Sequence, residues 1–254
     1  MPGKKKFGFF QTEKDWYKQI AQEMGIPKNS DTPLGYSRHP LVYLVEAADD
    51  ICYQIMDIED AHKLGILPTS EVKSLFLAFF DGEKDKNWLV SILQTLTEVV
   101  DKNEQIAFLR AMAIGKLISE CSRAFEYNYS SIMNGVHVSS LIDQLDETGR
   151  NALANVKQVS IEKVYNHKPV VEIELAGYKI LNTLLHRICP AILNPKSSYS
   201  KQILKIIPQQ YLPNMASDYE RLMAAVDFVS GMTDVHALEM YQTFEGISIP
   251  GINR

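Results

Sequence analysis

Between Glu46 and Asp60 runs a series of carboxylates, Glu46, Asp49, Asp50, Asp57 and Asp60, with Tyr53 in its middle. At about 100° per residue these side chains fall within roughly one third of a helix circumference. Leu41, Leu44, Val45, Ala48, Ile51, Cys52, Ile55, Met56 and Ile58 cover the rest. Like charges at i,i+4 cost about 0.2–0.5 kcal/mol per pair, so a solvated stripe normally interleaves lysine or arginine. None stands between Glu46 and Asp60. A helix apolar over two thirds of its girth is expected to be mostly buried, which leaves its acids in need of a partner. A divalent metal, or basic groups from elsewhere, would supply one. Carboxylates in that setting suit metal ligation or the holding of a substrate hydroxyl. A stripe that simply faces water is the competing reading.

The elements that must position this stripe are helical. Pro40 suits the first turn of a helix, where its missing N–H costs nothing. The 13 glycines and 11 prolines fall mostly between apolar-periodic segments. The periodicity predicts helices at about 12–24, 39–63, 70–80, 86–99, 103–127, 138–144, 148–166, 170–188, 198–206 and 217–244, the last broken near Gly231. Lys168 to Leu175 is the best strand candidate, and it can equally open a helix behind Pro169. The turn-rich stretch Gly25 to Tyr36 separates a lead-in segment, residues 1–36, from central helices at 37–191. A second loop, Ile192 to Ser200, sets off the C-terminal helices at 192–254. No internal repeat or low-complexity segment interrupts this order. The expected fold is an all-α helical bundle.

Composition bounds the function. Of 254 residues 46% are apolar and 22% charged, which excludes a disordered polyelectrolyte. Acids outnumber bases 31 to 26, and Lys4, Lys5 and Lys6 form the one basic run, so a coat for nucleic-acid phosphate is not expected. No stretch approaches the roughly 18–20 apolar residues of a membrane span, and the N-terminus lacks a secretory signal. Cys52, Cys121 and Cys189 are widely spaced without a Cys-x-x-Cys, and read as thiols of a reducing compartment. A cytoplasmic globular protein is expected.

Arg38-His39-Pro40-Leu41, Val45-Glu46-Ala47-Ala48-Asp49-Asp50-Ile51-Cys52-Tyr53 and Asp57-Ile58-Glu59-Asp60 resemble the signature helix of the deoxyguanosine triphosphate triphosphohydrolases, which are HD-domain enzymes. The resemblance extends from Lys5-Lys6-Phe7-Gly8 through Phe108-Leu109-Arg110-Ala111-Met112 to Val226-Asp227-Phe228-Val229-Ser230-Gly231-Met232-Thr233-Asp234, and matches the family's C-terminal part. It implies cleavage of a deoxynucleoside triphosphate, dGTP in the type reaction, to the deoxynucleoside and triphosphate by a metal-activated water. Asp49 matches a ligand of the divalent ion, Mg²⁺ or Mn²⁺. Tyr53 matches the tyrosine that packs on the deoxyribose and disfavours a 2′-hydroxyl, and Asp57 the residue that bonds the 3′-hydroxyl. Arg110 matches an arginine near the phosphates, and Lys6 lies in a segment resembling a phosphate-side loop. Glu46 and Asp50 stand beside these as supporting carboxylates. Family members assemble into oligomers, so a homo-oligomer is expected.

The family's remaining metal ligands, a His and a His-Asp pair, belong to an N-terminal half that this chain is expected to lack. Its histidines are His39, His62, His137, His167, His186 and His236, and none precedes an aspartate. His39 reads as a helix cap, His62 as a surface residue, and His167 and His186 as structural. After Thr233-Asp234 the family usually shows Arg-Tyr where Val235-His236 stands here. One aspartate does not hold a catalytic ion, which normally has three or more protein ligands. The chain alone is therefore expected to be inactive, and to need its missing half or a homologous subunit. A non-catalytic module for nucleotide binding or oligomerisation is the alternative.

Overall fold

The computed structural model describes residues 8–31, 34–212 and 217–248. Eleven α-helices dominate those residues, with one two-stranded antiparallel sheet. The fold is all-α, as the periodicity predicts. Lys6 lies outside the described residues. Among them no helix is long and apolar enough to cross a membrane.

Two compact units divide between His167 and Lys168. In the first, α1 (Lys14–Glu23) leads into a hairpin of β1 (Lys28–Asp31) and β2 (Leu34–Tyr36). The hairpin occupies a stretch read from sequence as loop. Its strands, of four and three residues, pair Asp31 with Leu34 and Lys28 with Tyr36 around a bulge, too short to show a period of two. Then follow α2 (Pro40–Lys63), α3 (Thr69–Leu77), α4 (Lys86–Glu98), α5 (Lys102–Tyr127), α6 (Tyr129–Met133) and α7 (Glu147–Val159). The helix expected at 138–144 is only a 3₁₀ turn at Ile142–Gln144, and α6 stands where no helix is predicted. The helix expected at 148–166 ends as α7 and continues as a π-helical turn, Ser160–Tyr165.

The core of this unit forms around α2 and α5. Tyr43, Ala47, Ile51, Ile55 and Ile58 of α2 are buried with Ile106, Leu109, Ala113 and Leu117 of α5 and Val72 and Phe76 of α3. The N-terminus of α2 is fixed as its sequence suggests. Pro40 takes the first turn, and the His39 ring accepts a hydrogen bond from the Leu41 N–H at 3.2 Å. His62, expected at the surface, is half-buried, with Nε2 2.9 Å from Thr69 Oγ1.

The expectation that α2 is mostly buried does not hold. Its core face is narrow, whereas Leu41, Val45, Tyr53 and Met56 are 58, 67, 61 and 39% exposed, and Ala48 and Cys52 are exposed as well.

The second unit holds α8 (Lys168–Leu193), α9 (Ser198–Ile206), α10 (Asp218–Ser230) and α11 (Asp234–Phe244). The strand candidate at Lys168 to Leu175 is the start of α8. Leu184, Ile188 and Ile192 of α8 pack with Ile203 of α9, Ala225, Phe228 and Val229 of α10, and Met240 of α11. Gly231 closes α10 and Thr233 caps α11, at the predicted break.

Candidate functional site

Asp49, Tyr53 and Asp57 stand one turn apart along α2, so the helix alone lays them in a row about 6 Å between neighbours. Asp49 and Tyr53 are exposed, whereas Asp57 is half-buried. The reason is Tyr165, which the π-helical turn at the end of α7 brings against α2. The Tyr165 hydroxyl donates to Asp57 Oδ2 at 2.5 Å. Burial drives the Tyr165 phenol far above its ordinary value of 10.0, and its hydrogen bonds to Asp57 and Tyr53 add to the shift. At neutral pH it is therefore a fixed donor, and the Asp57 carboxylate keeps one oxygen for another donor. π-Helical turns inside α-helical segments recur at functional sites.

Tyr165 had no signal in the sequence. It lies in a stretch of helical periodicity, 108 residues from Asp57.

The supporting carboxylates divide. Glu46 accepts from the Arg38 guanidinium at 2.6 Å, each side chain being 19% exposed. That guanidinium also lies 4.8 Å from the centroid of the Tyr43 ring, so it is held on two sides. The Tyr43 hydroxyl in turn donates to the His137 carbonyl at 2.6 Å. Glu46 is thus part of the anchor of the N-terminal end of α2. Asp50 is half-buried beside the Asp49 row.

Arg110, on α5, meets a carboxylate that the helical projection leaves off the acidic stripe. Its Nη1 lies 2.6 Å from Glu59 Oε2, and Lys63 Nζ stands 3.2 Å from the other Glu59 oxygen. The Glu59 side chain is 3% exposed, so both cations serve to neutralise a buried charge. The structure therefore groups Tyr53, Asp57 and Tyr165, leaves Asp49 on the open side of that group, and pairs Arg110 with Glu59.

A family model described as a phosphohydrolase-associated domain matches residues 144–243, which include Tyr165. A deoxyguanosinetriphosphate triphosphohydrolase-like protein of Synechocystis sp. is 31% identical over 252 residues, covering 98% of this chain and 54% of the relative. A protein of the same description from Pseudomonas aeruginosa is 30% identical over 252 residues, covering 97% of this chain and 55% of the relative. These matches identify the chain as a relative of the deoxyguanosinetriphosphate triphosphohydrolases. It corresponds to the family's C-terminal part. A deoxyguanosinetriphosphate triphosphohydrolase of Yersinia pestis is 25% identical over 278 residues, covering 94% of this chain and 53% of the relative. The chain thus spans about half the length of the curated relatives it matches.

The divalent ion that this family implies is not accommodated by these residues alone. Among the described residues no group of three or more His, Cys, Asp or Glu side chains converges closely enough to hold a metal. Asp49 is a single carboxylate on an exposed helix face, one donor where a catalytic ion wants three or more.

Proposed function

We propose that this chain supplies the sugar-recognising wall of a deoxynucleoside triphosphate triphosphohydrolase, with dGTP as the first candidate substrate. The observation that carries the reading is the Tyr53, Asp57 and Tyr165 group beside Asp49. The exposed Tyr53 ring offers a flat apolar face to a deoxyribose, and its bulk leaves little room for a 2′-hydroxyl. One Asp57 oxygen is occupied by Tyr165, which fixes the carboxylate so that the other accepts from a sugar 3′-hydroxyl. Tyr165 holds its proton throughout, because its phenol is pushed well beyond the neutral range. Together they select and orient a deoxynucleoside, and the family membership supports hydrolysis as the chemistry carried out on it.

In this reading Asp49 is one of several ligands to a divalent ion, the others coming from polypeptide outside the 254 residues. The chain alone does not turn over.

The test is triphosphate release from dGTP with Mg²⁺ or Mn²⁺. It is run on the chain alone and on the chain co-expressed with the segment of the Synechocystis relative that it does not match. Release in the second preparation only, abolished by Asp49→Ala, is the expected result. Turnover by the chain alone would overturn the claim that its site is incomplete. Nucleotide binding without turnover in the co-expressed form would favour a non-catalytic module.

A further inference from the structure

The buried residues of α8 begin only at Thr183, although the helix starts at Lys168. Upstream of that point Leu175 and Tyr178 are 63 and 69% exposed. At about 100° per residue, Val171, Leu175, Tyr178 and Asn182 fall within roughly 60° of arc. Their strip lies about 150° round the helix from Leu184, which is buried in the core of the second unit. Val171 is half-buried and Asn182 exposed. The steps of four, three and four residues alternate the d and a positions of a coiled coil, and Leu185 continues the row. An apolar strip of this kind marks a surface that is normally covered.

The charges beside the strip complement one another, which points to a second copy of the same helix. With Leu175 and Asn182 at a positions, Glu174 takes a g position and Lys179 the e position five residues on. Two such helices side by side in parallel bring Glu174 of each against Lys179 of the other, twice over. Leu175 then meets Leu175, Tyr178 meets Tyr178, and the Asn182 amides meet and hydrogen-bond. An antiparallel pair would instead lay the Asn182 amide against Val171, where it has no partner. Lys168, at the first residue of α8, is drawn aside by Glu172, whose Oε1 is 3.7 Å from its Nζ. We propose that two copies of this chain associate through this strip, α8 packing parallel and in register on α8 of the second copy. The association uses none of the residues of the proposed sugar site and stands whether or not that site is active.

Sedimentation equilibrium of the full chain over about 1–200 µM reads the association, and a reversible dimer is the expected result. Leu175→Asp should leave a monomer with unchanged far-ultraviolet circular dichroism, because that side chain stands largely in solvent within one copy. Lys179→Glu turns two ion pairs into two repulsions and should weaken the dimer about tenfold. Adding Glu174→Lys to it should restore the original constant. Orientation is read by cross-linking in a Cys52→Ser background, which removes the exposed thiol. Val171→Cys should form a disulfide-linked dimer on mild oxidation, since parallel helices bring the two positions within disulfide reach. In an antiparallel pair they would lie about 16 Å apart along the axis. Ile173→Cys, about 170° round the helix from the strip, should not cross-link. A chain that stays monomeric throughout overturns the proposal, as does a dimer indifferent to Leu175→Asp. So does a charge swap that fails to recover the dimer, or a dimer in which Val171→Cys does not cross-link.

Discussion

The Tyr165 hydroxyl lies 2.5 Å from Asp57 Oδ2 and joins the end of the π-helical turn to the C-terminal half of α2. This bond sets the orientation of the one carboxylate proposed to read the sugar. Tyr165→Phe removes the donor and keeps the ring, so the expected loss of stability is about 1 kcal/mol. Thermal unfolding followed by circular dichroism checks that value. In the co-expressed enzyme the same change should raise KM for dGTP more than it lowers kcat, because it loosens a positioning contact. A kcat loss with KM unchanged would contradict the role.

Tyr53→Ala should relax discrimination against ribonucleotides. The measurement is kcat/KM for GTP relative to dGTP in the co-expressed enzyme. A missing steric wall raises the ratio, by about tenfold for a modest clash. Equal loss on both substrates would show that Tyr53 serves stability rather than selection.

Arg110 and Glu59 form a partly buried ion pair at 2.6 Å. Arg110→Ala leaves the Glu59 carboxylate with only Lys63 at 3.2 Å, and should cost about 1–3 kcal/mol. Glu59→Gln with Arg110→Ala removes the charge along with its partner and should recover part of that loss. Urea unfolding of the single and double variants measures both. If Arg110 instead serves only a phosphate, the single variant keeps its stability and loses activity.

Alkaline pH should destabilise the first unit through Cys121. Desolvation, with Glu120 adding a repulsive charge, raises its thiol from 9.0 to about 11. Below pH 9 both the folded and the unfolded thiol hold their protons, and the contribution is intact. Above 9 the unfolded chain ionises first, so stability falls as pH rises through about 11. Cys121→Ala should flatten the unfolding midpoint over that window.

Gly135 adopts φ +70, and a Cβ there would stand 2.7 Å from Ser37 Oγ. Ser37 Oγ already donates to the Gly135 carbonyl at 3.0 Å, tying the loop after α6 to the residue following β2. Gly135→Ala combines a left-handed backbone with a clash and should cost about 2–3 kcal/mol. Gly246→Ala, at φ +68 with open space around it, supplies the control and should cost only about 1 kcal/mol. Equal losses in calorimetry would show that the clash is relieved by movement of Ser37.

The helical class, the extent of α2, the His39 cap and the row of Asp49, Tyr53 and Asp57 are legible in the residues alone. All of these follow from local geometry, from the 3.6-residue period and the chemistry of a helix start. The tertiary structure alone decided which sides of α2 are covered. The helix is apolar over most of its girth, so periodicity could not tell Ile51 and Ile55, which are buried in the core with α5, from Val45 and Cys52, which are exposed. It also decided the partners of the charges. Arg110 reaches Glu59 across 51 residues and Tyr165 reaches Asp57 across 108. Contacts of that range depend on how whole helices pack, which no spacing within one helix records.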